Sequence, residues 1–166
     1  PLKSDFPVRG TLPPGIVPGE AGPVGICVSW RWQTPFETTL LLVPPVIRLG
    51  IGCRRNTPAE AIGALVDETL AACQIHPAAV KSVGSIDLKR DEPGLLAFCR
   101  ERGWPVEFYT ASQLEAAEGN FTPSDFVRRT TGVDNVCERA AALGGGRLVI
   151  QKTAGHGVTV AAAAER

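Results

Sequence analysis

The chain predicts an α/β fold: a three-layer α/β/α sandwich around a mixed sheet, preceded by an N-terminal extension with short strands. Three observations carry that expectation. From Ile47 onward, apolar runs of strand length alternate with segments of helical period. The last two apolar runs are joined by a glycine-containing turn, which reads as a hairpin and adds antiparallel pairing to an otherwise parallel arrangement. Residues 1–45 are rich in proline and glycine and show no helical period. The expected division is therefore residues 1–45, a Pro/Gly-rich extension with two short strands, and residues 46–166, an α/β domain.

Element by element, residues 1–23 read as a linker or poorly ordered tail. Residues 25–30 and 38–43, rich in branched side chains, read as short strands separated by a polar turn region, and Pro44-Pro45 stops pairing. Residues 47–51 form the first core strand. Thr57 is placed to cap a helix, Pro58 suits its first position, and Glu60 completes a capping box. The helix over 58–73 then lines up Ile62, Leu65, Val66, Thr69, Leu70 and Cys73 on one face. Residues 80–86 are the second strand. A helix over 93–102 turns Leu95, Leu96, Phe98 and Cys99 inward and closes at Gly103. Residues 106–109 make a short strand and 112–118 a short helix. Thr122-Pro123 repeats the cap-then-proline signal for a helix to Thr130, and Asn135 with Glu138 caps the next, which the glycines at 144–146 end. Residues 147–152 and 157–162 are the closing hairpin.

Composition excludes several classes. Lys plus Arg number 17 and Asp plus Glu number 17, so the formal charge is zero and bulk charge offers nothing to nucleic acid. No apolar run is long enough to span a bilayer, and the broken, proline-rich start is not a signal peptide, so no membrane partner is expected. The five cysteines are an odd set without a Cys-x-x-Cys pair. That argues against a zinc ribbon or a secreted disulfide framework and points to a reducing cytoplasm. Two histidines, His76 and His156, with no suitable carboxylate spacing do not suggest a metal site, and no cofactor is implied.

The chemistry-bearing stretch is Leu49-Gly50-Ile51-Gly52-Cys53-Arg54-Arg55-Asn56-Thr57-Pro58-Ala59-Glu60. It joins a strand to a helix start through small residues and two arginines. Gly50 and Gly52 allow the backbone a tight strand-to-helix turn at positive φ. Arg54 and Arg55 offer planar forks to carboxylates or phosphates beside a helix N-terminus, which itself favours anions. The pattern is neither a dinucleotide fingerprint nor a P-loop. The same residues also suit a tight turn with solvated arginines. Cys53 reads either as a thiolate activated by its neighbours or as a small residue in a crowded turn, and the second reading is preferred.

This stretch resembles the opening motif of the CobE/CbiG C-terminal domain family of cobalamin biosynthesis. The resemblance continues through Ser85-Ile86-Asp87-Leu88-Lys89-Arg90-Asp91-Glu92-Pro93-Gly94-Leu95 and Thr122-Pro123-Ser124-Asp125-Phe126-Val127. It continues again through Gly132-Val133-Asp134-Asn135-Val136-Cys137-Glu138 and Gly155-His156-Gly157-Val158-Thr159-Val160. Asn56 stands where the family usually has glycine, and asparagine tolerates the left-handed turn. The resemblance implies a precorrin or corrinoid intermediate as ligand, a large ring bordered by carboxylates. CbiG-type members are cobalt-precorrin-5A hydrolases, C–C bond hydrolases that open a lactone and release acetaldehyde. CobE-type members are stand-alone versions, readable as accessory or carrier modules that hand the ring to a precorrin methyltransferase.

Ligands of open α/β sheets gather beyond the strands' carboxyl ends. The expected ligand rim is Gly50, Gly52, Cys53, Arg54 and Arg55, then Ser85, then Glu118, Thr122 and Ser124, then Lys152 and Thr153. Asp87 with Lys89 reads as a general base and a cation, or as a loop ion pair. Thr122 also has a second expected role, as the helix cap.

Overall fold

The computed structural model describes residues 1–165. The main sheet has five strands in the order β6-β5-β4-β8-β7. They are β4 (Ile47–Cys53), β5 (Val80–Ile86), β6 (Val106–Tyr109), β7 (Arg147–Gly155) and β8 (Val158–Ala164). β4, β5 and β6 run parallel, while β8 is antiparallel to both β4 and β7, so the sheet is mixed as expected.

Alternation along β4 assigns its two faces. Ile47, Leu49 and Ile51 point into the larger core with α1 (Ala59–Ala72) and α2 (Pro93–Arg102), packing on Ile62, Leu65, Val66, Leu95 and Phe98. Gly50 points the other way, against α5 (Cys137–Ala142). A Cβ on Gly50 would overlap the Cys137 carbonyl oxygen, and one on Gly84 of β5 would lie 2.9 Å from that of Ala140. The two glycines and the small residues Ala140 and Ala141 let the helix backbone rest directly on the sheet. Two short helices, α3 (Ala111–Glu115) and α4 (Asp125–Thr131), complete that layer through Leu114 and Val127. The sandwich is thus three-layered.

Several expectations need correction. The first 23 residues are not a loose tail. β1 (Leu2–Ser4) pairs in parallel with β2 (Val24–Val28), which pairs in parallel with β3 (Thr38–Leu42), giving three strands in place of two. Backbone bonds from Leu2 N–H to the Val17 carbonyl and from Ile26 N–H to the Pro1 carbonyl hold this segment, because prolines favour extended backbone. The extension also docks on the domain: Trp32 N–H donates to the Gln74 carbonyl and His76 N–H to that of Trp30. Leu40, Leu42 and Val24 are left exposed on one face of the small sheet.

The Thr57 capping box does not form. Helix α1 begins at Ala59 with Pro58 as N-cap, and the Thr57 hydroxyl donates to the Arg54 carbonyl at 2.7 Å, closing the preceding turn. Ser124, not Thr122, caps α4. Helix α3 starts one residue early because Thr110 and Gln113 form a capping box of their own. Neither Gly50 nor Gly52 has positive φ; both are needed for close approach. The residue in the left-handed region is Asn56, at φ 61°, so the turn survives the missing glycine.

Candidate functional site

At the carboxyl end of β4, two adjoining depressions open between the β7–β8 hairpin and α4. Both are lined by Gly52, Val127, Lys152 and Thr159. One is a narrow slot of about 60 Å³, walled by Ile86, Val127, Val136 and Cys137, with Lys89 at its side. The other is an open trough of about 450 Å³ that adds Arg54, Ser124, Phe126 and Gly157. The slot has room for roughly two waters at liquid density, about the size of one carboxylate arm.

Local chemistry explains how these residues meet. His156 and Gly157 form the hairpin turn with φ of 54° and 75°, the left-handed pair that a two-residue hairpin requires. The Gly157 carbonyl accepts from Arg54 N–H at 3.0 Å, which pins the arginine loop to the hairpin. Glu92, 7 % exposed, accepts from Asn56 N–H at 2.7 Å and faces Lys89 Nζ at 3.6 Å. One carboxyl therefore ties the first loop to the second.

A second carboxyl does the same on the other wall. Glu138 is 1 % exposed. Its carboxyl accepts from Thr122 N–H at 2.7 Å, from the Thr122 hydroxyl at 2.9 Å and from Lys152 N–H at 2.7 Å. Asn135 reinforces the clasp, donating to the Thr122 carbonyl and accepting from Glu138 N–H. The loop that leads into α4 is thereby locked to β7 at Lys152.

Of the residues expected from sequence, Gly52, Arg54, Lys89, Ser124 and Lys152 come together here. Gly50 lies beneath α5. Thr122 is spent on the clasp. The Ser85 hydroxyl is buried and donates to the Ile51 carbonyl at 2.7 Å, bracing the sheet. Asp87 and Arg55 line neither depression, and Lys89 pairs with Glu92 and not with Asp87. Glu118 lines a separate cavity of about 670 Å³ with Phe121 and Arg147. Thr153 lines a groove beside Leu65 and Cys73 of the α1 side, since its neighbour Lys152 takes the other face of β7. Cys53 lines neither depression, and burial pushes its thiol up, against the pull of Lys89, which is the direction opposite to thiolate activation.

Sequence reasoning missed Glu138, Glu92, Phe126 and Thr159. Glu138 carried a readable signal: an acid among the apolar small residues of α5, where burial demands partners. Among the described residues no group of three His, Cys, Asp or Glu side chains is placed to hold a metal, and no helix is long and apolar enough to cross a membrane.

Residues 47–163 match the family model described as Cobalamin synthesis G C-terminus. The chain is 39 % identical over 138 residues to cobalt-precorrin-5A hydrolase of Salmonella typhimurium, covering 81 % of this chain and 39 % of that protein. It thus spans about two fifths of the hydrolase. It is also 39 % identical over 119 residues to protein CobE of a Sinorhizobium species, covering 69 % of this chain and 77 % of that one. The crystal structure of CobE, a protein from the cobalamin biosynthetic pathway, superposes with a TM-score of 0.68 at 35 % identity, over 75 % of this chain and 93 % of that chain. By its sequence and its fold, the chain belongs to the cobalamin synthesis G C-terminal family, and its role lies in cobalamin biosynthesis.

Proposed function

We propose that the chain binds a precorrin or corrinoid intermediate in the trough beside β4, as a CobE-like accessory or carrier module that passes the ring to a pathway enzyme such as a precorrin methyltransferase. The carrying observation is the convergence of Arg54, Lys89 and Lys152 on one continuous cleft whose floor is glycine and whose walls are apolar. Arg54 and Lys152 make no ion pair with any described residue, so both charges are free to meet a ligand carboxylate. The slot takes one carboxylate arm; the trough takes the ring edge that bears it. The five free thiols suit a reducing cytoplasm.

Titration with a corrin polycarboxylate, followed by absorbance, tests this. Binding should weaken with salt, as partly exposed charge pairs do. No spectral shift at high protein concentration and low salt would overturn it.

One observation favours a second reading, that the chain is part of a cobalt-precorrin-5A hydrolase. Its likeness to the Salmonella enzyme, over 138 residues, reaches beyond the 47–163 family segment. Release of acetaldehyde from cobalt-precorrin-5A by the chain, alone or combined with the remaining part of the Salmonella hydrolase, would establish this reading, and its absence from both would leave the carrier.

A further inference from the structure

Phe126 is the one exposed phenylalanine of the six in the chain, at 67 %. In the α/β domain only Leu88 is a comparably exposed large apolar side chain, and Leu88 lines neither depression of the cleft. Helix α4 explains how the fold tolerates this. It buries no residue fully and is held from its ends: Ser124 caps it, Gly132 at φ 84° ends it, and the Glu138 clasp anchors the loop before it. Val127 turns inward to the cluster of Leu114, Val133 and Val136. Phe126, its neighbour, is thereby set on the trough, with Arg54 and Lys152 among the other lining residues. An aromatic side chain and free cations in one trough suit a ligand with an apolar face and an anionic edge.

We propose that Phe126 is the contact for the face of the macrocycle, while the ring's carboxylates reach Arg54 and Lys152. This rests on the reading of the trough as the corrinoid site and adds what that reading lacks, a residue that tells a ring from any other polycarboxylate. Charge alone would hold a small tricarboxylic acid and a corrin alike. A ring laid against Phe126 gains apolar burial that an open-chain acid cannot match.

The test compares two probes, the metal-free corrin polycarboxylate hydrogenobyrinic acid and the open-chain acid propane-1,2,3-tricarboxylate, on the parent, Phe126→Ala, Phe126→Trp and Lys152→Ala. Phe126 is exposed, and Lys152 joins the clasp through its backbone N–H and not its side chain, so all three should melt with the parent or close to it. Phe126→Ala should lose about tenfold in affinity for the corrin with an unchanged salt dependence. Phe126→Trp should keep the parent's affinity, and the tricarboxylate should bind the parent and Phe126→Ala equally. Lys152→Ala should weaken both probes and flatten the salt dependence. If Phe126→Ala binds the corrin as the parent does while Lys152→Ala does not, the role of Phe126 is refuted and the site stands. If the parent binds no corrin, the site itself is refuted, and the role of Phe126 with it.

Discussion

Replacing Glu138 by glutamine should cost more stability than any other single-atom change in the cleft wall. Oε1 accepts from the Thr122 hydroxyl and Lys152 N–H, and Oε2 accepts from Thr122 N–H. Glutamine keeps one oxygen, which can satisfy the two donors at Oε1. Its amide nitrogen must then face Thr122 N–H, donor against donor, in a site only 1 % exposed. A buried donor left without an acceptor costs about 1–3 kcal/mol. In a chain of this size that lowers the melting temperature by about 2–4 °C per kcal/mol. The expected drop is therefore several degrees for Glu138→Gln and larger for Glu138→Ala, which orphans all three donors. Thr122→Val removes only the hydroxyl and should lower stability by about 1 kcal/mol. Glu138→Gln leaves the Thr122 hydroxyl its acceptor, so the cycle pairs Thr122→Val with Glu138→Ala, and thermal and urea unfolding of these two singles and their double mutant give the coupling directly. If Glu138→Gln melts with the parent, or if Glu138→Ala and Thr122→Val are additive, Glu138 is not a clasp and Lys152 is positioned by other means.

Gly50→Ala should yield little soluble protein or lose more than about 4 kcal/mol, because its methyl would overlap the Cys137 carbonyl. Gly103→Ala, with open space but φ 67°, should cost about 1 kcal/mol in the same melts; equal effects would show that α5 can slide. Arg54→Ala should lower corrin affinity about tenfold, whereas Arg55→Ala should leave it unchanged, since only Arg54 lines the trough; calorimetric titration that ranks them the other way would move the site. Burial pushes the thiols of Cys99 and Cys137 up to about 11. Unfolding releases them to about 8.5, so above that pH the unfolded state holds fewer protons and stability falls as pH rises. The stability they contribute is complete below about pH 8.5 and is lost toward about 11. Urea midpoints should decline across that window, less steeply in Cys99→Ala; a flat profile in the parent would contradict it.

Much of the architecture could be read from residue order, because local signals agreed with the tertiary outcome. The periodicity of Ile62, Leu65, Val66, Thr69 and Leu70 placed α1, and the alternation of strands and helices placed the mixed sheet. The cleft was half legible. Arg54, Lys89 and Lys152 stood out as cations in loops or at a hairpin mouth, and the strand-end rule put them on one edge. What sequence could not show was orientation. Thr153 and Lys152 are adjacent, yet the pleat of β7 sends them to opposite faces. Thr57 and Thr122 sit in motifs that resemble helix caps, yet the Thr57 hydroxyl turns back to the Arg54 carbonyl three residues earlier, and that of Thr122 goes to the Glu138 carboxyl, which only folding brings near. A three-residue strand in a proline-rich segment, Leu2–Ser4, leaves almost no periodic trace.

The strand order carries a consequence for biosynthesis. Strand β8, at Val158–Ala164, follows β4 and β7 in the chain yet lies between them in the sheet. Until a nascent chain has released it, β4 keeps an open edge of apolar residues and β7 has nothing to join. Gly52, Lys152 and Thr159 belong to these three strands, so the cleft comes into being in the same event that closes the sheet. A polypeptide truncated before Val158 would present an aggregation-prone edge and no ligand site at all. Incomplete translation products would thus fail visibly, by insolubility or proteolysis.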